Sequence, residues 1–190
     1  MITLILGGAR SGKSSFAEKI AQKNGGDDVI YLATAEAKDK EMEKRIKHHQ
    51  KTRNKEWKTI EEPLYIGEVL SSIPDEKVIL IDCITIFVTN HIFSDTNESE
   101  EIDYDNKENI IMEKVQKIVE ESKNKEIVLV SNEIGMGVVP TTELGREFRD
   151  ISGRVNQFLA KKADEVYITI AGLPLELKEL SNKIKNEYKE

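Results

Sequence analysis

An α/β fold, a mostly parallel sheet covered by helices on both faces, is what this sequence predicts, and three observations carry it. Five short apolar runs recur along the 190 residues, and segments with helical spacing separate them. The first run ends in a glycine-rich turn that opens directly into a helical pattern. Parallel neighbours need crossover connections, so buried strands alternating with amphipathic helices imply a parallel sheet.

The first strand is expected over residues 1–7, an apolar stretch that stops at a glycine. Residues 29–34, 78–82, 127–133 and 166–172 repeat the pattern, each breaking into polar or small residues at its C-terminal end. Such runs are too apolar for a sheet with one wet face. Helical spacing marks residues 14–22 (Phe16, Ala17, Ile20), 38–53 (Met42, Ile46), 107–123 (Ile111, Val115, Ile118) and 142–162 (Leu144, Phe148, Ile151, Val155, Leu159). Residues 94–108 hold seven carboxylates and one lysine and are expected as a solvated loop between two helices. A terminal helix is expected over about 175–190, where Leu177, Leu180 and Ile184 keep helical spacing.

The length suits one domain, 1–190, with a single core. With 28 basic against 35 acidic residues the net charge is −7, which argues against broad nucleic-acid binding but leaves room for a local basic pocket. The lone Cys83 cannot close an internal disulfide, and no charged leader with a cleavage site opens the chain, so a cytoplasmic location is expected. No apolar run approaches the roughly 20 residues that cross a bilayer, and no membrane span is expected.

Gly7, Gly8, Ala9, Arg10, Ser11, Gly12, Lys13 and Ser14 satisfy G-x-x-x-x-G-K-[ST] between a buried strand and a helix. In that context backbone amides converge on phosphate oxygens and the helix adds its positive end. Lys13 would hold the terminal phosphates and Ser14 a magnesium ion, which makes the expected fold one of the P-loop NTPase type. The alternative is a glycine-rich turn without a ligand. A P-loop usually needs a second acid near the metal, and Asp82, ending an apolar run, supplies one on a strand expected beside the loop; the alternative is a strand-end cap. Ala33, Thr34 and Ala35 follow the second strand and either border the cleft or form a tight turn. Asn132, Glu133, Gly135 and Gly137 implicate the same sheet edge. His91 is expected to be structural, and Trp57 lacks the basic and aromatic neighbours of a base-stacking site.

Lys44, Arg45, Lys47, Lys51 and Arg53 concentrate positive charge around two of the three histidines, His48 and His49. Adjacent helical residues point about 100° apart, so both rings cannot enter one pocket. A neutral imidazole is a capable nucleophile toward phosphorus. Zinc is disfavoured, because no other Cys or His is spaced to complete a ligand set. Taken alone, the stretch reads as an exposed basic helix with solvated histidines.

Six motifs in this order resemble those of the bifunctional adenosylcobinamide kinase/adenosylcobinamide-phosphate guanylyltransferase family of cobalamin biosynthesis. They are Gly-Gly-Ala-Arg-Ser-Gly-Lys-Ser at 7–14, Tyr-Leu-Ala-Thr-Ala at 31–35 and Glu-Met-Glu-Lys-Arg-Ile-Lys-His-His at 41–49. Ile-Asp-Cys-Ile-Thr at 81–85, Ser-Asn-Glu-Ile-Gly-Met-Gly-Val-Val-Pro at 131–140 and Phe-Arg-Asp-Ile-Ser-Gly-Arg-Val-Asn-Gln at 148–157 complete them. The acidic stretch and the tail lie outside the resemblance. It implies phosphorylation of adenosylcobinamide by ATP or GTP with Mg²⁺, followed by transfer of GMP from GTP to the adenosylcobinamide phosphate. The family's guanylylated histidine falls on His48, which displaces the solvated-helix reading, and Lys13 is the second catalytic residue. Guanine-nucleotide contacts fall on residues 7–14, Ala33, Thr34, Ala35, His49, Gln50, Lys51, Thr52, Glu61 and Asp82, with Ser14 and Asp82 toward the metal. Family members form homo-oligomers, often trimers. A GTP-binding switch is the first rival, but each Asn-Lys pair (at 54, 106, 124 and 182) lacks the aspartate of N-K-x-D. A plain small-molecule kinase is the second and leaves the paired histidines without a purpose.

Overall fold

Seven strands form one sheet in the computed structural model, which describes residues 1–37, 40, 44, 53–94 and 102–187. The strands are β1 Ile2–Gly7, β2 Val29–Ala33, β3 Lys58–Glu61, β4 Val78–Asp82, β5 Glu126–Asn132, β6 Glu165–Ile170 and β7 Leu173–Glu176. Their spatial order is β3-β2-β4-β5-β1-β6-β7, parallel throughout except for the antiparallel β6–β7 hairpin. The described helices are α1 Lys13–Gly25, α2 Ile66–Ser72, α3 Ile84–Phe93, α4 Tyr104–Glu121, α5 Glu143–Lys162 and α6 Leu177–Glu187.

Side chains alternate across each central strand, so both faces of the sheet are buried. Ile5, Tyr31, Leu80, Val128 and Val130 face one way, under Ala17 and Ala21 of α1. Those two alanines let the helix lie close to the sheet. Leu4, Leu32, Ile79, Ile81, Ile127 and Leu129 share the larger core with Ile66 and Leu70 of α2, Phe87 of α3, Ile111 and Val115 of α4, and Ile151 and Val155 of α5. Helices therefore cover both faces, unevenly. Truncating one of these fully buried aliphatic side chains to alanine costs about 2–5 kcal/mol.

All five expected strands form, and two more appear at the edges. Strand β3 is mostly exposed and β7 contains Pro174, so neither presents the apolar run of a central strand. Helix α3 also differs from the sequence reading. Ile84, Thr85, Phe87, Val88, Asn90, His91 and Ile92 are all buried, so this helix lacks a polar stripe, and its β-branched residues mimic a strand. Within the expected 94–108 loop, Asp103 accepts a hydrogen bond from the Asn106 backbone at 3.0 Å and caps α4, which starts at Tyr104 rather than at 107. Residues 104–108 are thus helical, and Ile102 and Tyr104 pack against the core. The rest of that stretch, 95–101, lies outside the described residues, as does most of the expected 38–53 helix; Lys40 and Lys44 are helical and exposed. The expected terminal helix begins at Leu177, because residues 173–176 pair with β6 instead.

Candidate functional site at the carboxyl edge of the sheet

The loop after β1 is shaped by positions where side chains do not fit. A Cβ on Gly7 would overlap the hydroxyls of Ser11 and Thr169 and sit 2.8 Å from the Thr169 carbonyl oxygen. Gly12 takes φ 94° and starts α1, with Gly172 Cα 3.2 Å from where its Cβ would be. No side chain caps α1 and its first turn holds no acid, so its leading amides keep their donor capacity and positive potential. Lys13 folds over this turn, its Nζ donating to the Gly8 carbonyl at 3.3 Å. Gly8, Ala9 and Arg10 are exposed along the loop, and Ser14 sits half-buried in the first turn of α1.

The β6–β7 turn straps this loop down. Ser11 Oγ and Thr169 Oγ1 lie 2.8 Å apart, Thr169 also donates to the Leu6 carbonyl at 3.2 Å, and the Gly172 amide donates to the Ser11 carbonyl at 2.9 Å. Sequence reading did not single out Thr169 and Gly172; the polar break that ends every core strand was their only signal.

Asp82 ends β4, and β4 does not adjoin β1, contrary to expectation: β5 lies between them. Register places Glu61, Ala33 and Asp82 in one row across β3, β2 and β4, while Gly7 pairs with Asn132 and Thr169. One oxygen of Asp82 accepts the Tyr31 hydroxyl at 3.0 Å. Burial, reinforced by the Asp82 charge, raises the phenol far above its usual range, so it stays a neutral donor. Burial and the same carboxylate also raise the Glu18 carboxyl, on α1. The Arg53 guanidinium stacks 3.1 Å above the Tyr31 ring centroid and donates to Thr59 Oγ1 at 3.0 Å, on β3.

Thr34 is fully buried, and all its polar groups are engaged. Its hydroxyl donates to the Cys83 carbonyl and accepts from the Cys83 amide, both at 2.8 Å. Its amide donates to the Asp82 carbonyl at 3.2 Å, and its carbonyl accepts from Asn90 Nδ2 at 2.9 Å. Thr34 therefore fastens the end of β2 to the end of β4, and the exposable surface beside it belongs to Ala33 and Ala35. Asn90 also donates to the Pro63 carbonyl at 3.2 Å, and His91 Nε2 lies 3.0 Å from the Leu64 carbonyl, so α3 holds the chain just beyond Glu61. Burial lowers the His91 pKa. Cys83 is buried and its thiol pushed up to about 12, first by burial and then by Asp82, which leaves it unreactive.

The described residues thus bring together the phosphate loop, Asp82, Ala33 and Ala35 along the carboxyl edge, with Glu61 at the end of the outer strand β3. His48, His49, Gln50, Lys51 and Thr52 lie outside the described residues. The donors toward a magnesium ion would be the Ser14 hydroxyl and the Asp82 carboxylate. These hard oxygens suit that ion. Magnesium commonly takes one or two protein oxygens and completes its shell with phosphates and water. Among the described residues no helix is long and apolar enough to cross a membrane.

Three curated proteins align along nearly the whole chain. The bifunctional adenosylcobalamin biosynthesis protein CobU of Escherichia coli is 39% identical over 183 residues, covering 94% of this chain and 100% of that protein. CobU of Salmonella typhimurium is 40% identical over 185 residues, with 94% and 100% covered. The bifunctional adenosylcobalamin biosynthesis protein CobP of Pseudomonas aeruginosa is 40% identical over 179 residues, with 94% and 98% covered. Residues 3–177 match the family model "Cobinamide kinase / cobinamide phosphate guanyltransferase", a span that runs through the acidic stretch. By both measures this chain belongs to the cobinamide kinase/cobinamide phosphate guanyltransferase family.

Proposed function

We propose that residues 1–190 act as one unit that performs two successive transfers: phosphorylation of adenosylcobinamide by ATP or GTP, then transfer of GMP from GTP to the adenosylcobinamide phosphate. The observation that supports this most directly is the phosphate loop, which opens into a helix whose first turn is uncapped and free of acids. Residues 7–14 hold the triphosphate, Ala33 and Ala35 border the nucleotide with the Thr34 backbone between them, and Glu61 meets it from the outer strand. His49, Gln50, Lys51 and Thr52 complete the nucleotide contacts. Ser14 and Asp82 hold Mg²⁺, which when bound supplies charge neutralisation at the phosphate oxygens.

In the first transfer Lys13 stabilises charge on the terminal phosphates as the phosphoryl group passes between oxygens, so no covalent protein intermediate forms. In the second, His48 attacks the α-phosphorus of GTP and pyrophosphate leaves, its growing charge met by Lys13 and the cationic residues around the histidine. The substrate's phosphate then displaces GMP from the imidazole. The reaction is assigned to the cytoplasm. Ile170, Leu173 and Leu175 on the β6–β7 hairpin, with Leu180 and Ile184 on α6, are exposed apolar residues that suit association of copies, and the assembly is assigned as a homo-oligomer, a trimer by resemblance.

Incubation with GTP and magnesium followed by intact-mass measurement is expected to reveal a covalent GMP adduct. Label on the α-phosphate should mark the protein through an acid-labile, alkali-stable bond, and γ-label should not. His48→Ala is expected to abolish the adduct while retaining phosphorylation. No adduct on the wild-type protein, or equal loss of both activities in a folded His48→Ala protein, would overturn the division of labour.

A further inference from the structure

Strand β5 separates the phosphate-loop strand from the Asp82 strand, and its C-terminal end is held with unusual care. The Asn132 amide donates to Thr85 Oγ1 of α3 at 2.6 Å, and its carbonyl accepts from Asn156 Nδ2 of α5 at 3.1 Å. Ser131 Oγ donates to Asn156 Oδ1 at 2.7 Å and lies 3.3 Å from Thr85 Oγ1. Ser131, Thr85 and Asn156 are all buried, and a buried polar network fully satisfied in this way fixes one geometry. The next residue, Glu133, donates its amide to the Gly7 carbonyl at 3.0 Å. Three elements therefore determine where Glu133 leaves the sheet: at the mouth of the phosphate loop, on the side toward Asp82.

The Glu133 side chain is fixed as well. Its Oε1 accepts the Gly135 amide at 2.6 Å, and its Oε2 has no hydrogen-bond partner among the described residues. Beyond it the loop exposes Met136, Val138 and Val139, with Val138 94% exposed, a surface suited to the apolar parts of a large acceptor. The neighbouring strand ends carry Arg10 and Lys13 after β1 and Asp82 on β4. Nothing in the two transfers above gives Glu133 a task, yet phosphorylation of an alcohol leaves one unassigned: the hydroxyl proton must go somewhere.

We infer that Glu133 is the base of the phosphoryl transfer, taking the proton of the acceptor alcohol; this deepens the kinase reading and rests on it. The O–H bond breaks, with its proton passing to Glu133 Oε2, as the hydroxyl oxygen bonds to the γ-phosphorus. The bond from that phosphorus to the β–γ bridging oxygen breaks, its electron pair leaving on the nucleoside diphosphate. Positioned bases of this kind typically contribute about 10²–10⁴-fold.

The test is steady-state phosphorylation of adenosylcobinamide across a pH series by wild type, Glu133→Gln and Glu133→Asp, with unchanged melting temperature as the folding control. Glu133→Gln is expected to lower kcat by about 10²-fold or more with little change in acceptor KM, and to lose the acidic limb of the kcat/KM profile. Glu133→Asp keeps that limb at reduced rate. A Glu133→Gln enzyme with near wild-type kcat, or with the acidic limb intact, overturns the assignment. A wild-type protein that forms the GMP adduct but never phosphorylates adenosylcobinamide instead overturns the kinase reading, and the assignment with it.

Discussion

Helix α1 begins at Lys13 after the turn that follows β1, and α5 begins at Glu143 after the loop that follows β5, the strand next door. Their first turns are built in opposite ways. Thr142 caps α5, its side chain accepting the Gly145 amide at 3.2 Å, and Glu143 places a negative charge at the positive helix end. Helix α1 has a glycine in place of the cap and a lysine at the position where α5 carries its glutamate. By local rules α5 is the better start, and α1 forgoes both a cap and a favourable charge. The difference shows where the fold gives up local stability: at the helix end proposed to hold the triphosphate, the protein's own anion and cap are left out.

Removing the charge that distinguishes the two starts is expected to have the largest effect. Lys13→Ala should lower both transfers by about 10³-fold, measured as kcat/KM for phosphorylation and as the rate of GMP-adduct formation. The fold should survive, because among the described residues the Lys13 side chain makes a single hydrogen bond, to the Gly8 carbonyl. Next comes the support beneath α1. Thr169→Val leaves the Ser11 hydroxyl without its partner in a buried site and should cost about 1–3 kcal/mol in denaturant unfolding. Because the loop itself loses its strap, nucleotide affinity should fall together with stability. A variant with lowered stability but unchanged nucleotide affinity would show that the β6–β7 turn serves the core alone.

What the sequence disclosed and what it hid divide along physical lines. The five central strands are legible because burial on both faces leaves an unbroken apolar run, as in Val78-Ile-Leu-Ile. Strands β3 and β7 each have one neighbour, so their composition is that of a surface, and Glu61 sits on a strand that only pairing reveals. The phosphate loop is legible because its chemistry depends on eight consecutive residues. Its strap is not, since Ser11 and Thr169 stand 158 positions apart. The place of Asp82 was misjudged for a related reason: a carboxylate after an apolar run predicts a strand end, but which strand slips between β1 and β4 is decided by topology. Thr34 ends up buried, fastening β2 to β4, because no local pattern distinguishes a threonine that lines a cleft from one that ties two strands together.

Two smaller substitutions exchange the properties of the two helix starts. Ser15→Glu puts a carboxylate into the first turn of α1 at an exposed position, imitating α5. It should weaken nucleotide binding by about tenfold, through loss of positive potential and repulsion of the phosphates, with the penalty shrinking as salt rises. Unfolding of the ligand-free protein should move slightly in the stabilising direction, because the helix end gains a favourable charge. A variant less stable without nucleotide would mean that the turn is limited by packing and not by its field.

Thr142→Ala is the reciprocal change and carries the smallest effect. It deletes the hydroxyl that satisfies the Gly145 amide while Glu143 and the Arg146 contacts to the Pro140 and Thr141 carbonyls remain. The loss should be about 1 kcal/mol, a fall in melting temperature of about 2–4 °C for a chain of this size. Both transfers should proceed at wild-type rates near room temperature, because the cap serves the helix and not the nucleotide. If Thr142→Ala instead lowers phosphorylation while sparing GMP-adduct formation, the start of α5 and the loop before it belong to the acceptor site, and the contrast between a functional and a structural helix end gives way to two functional ones with different ligands.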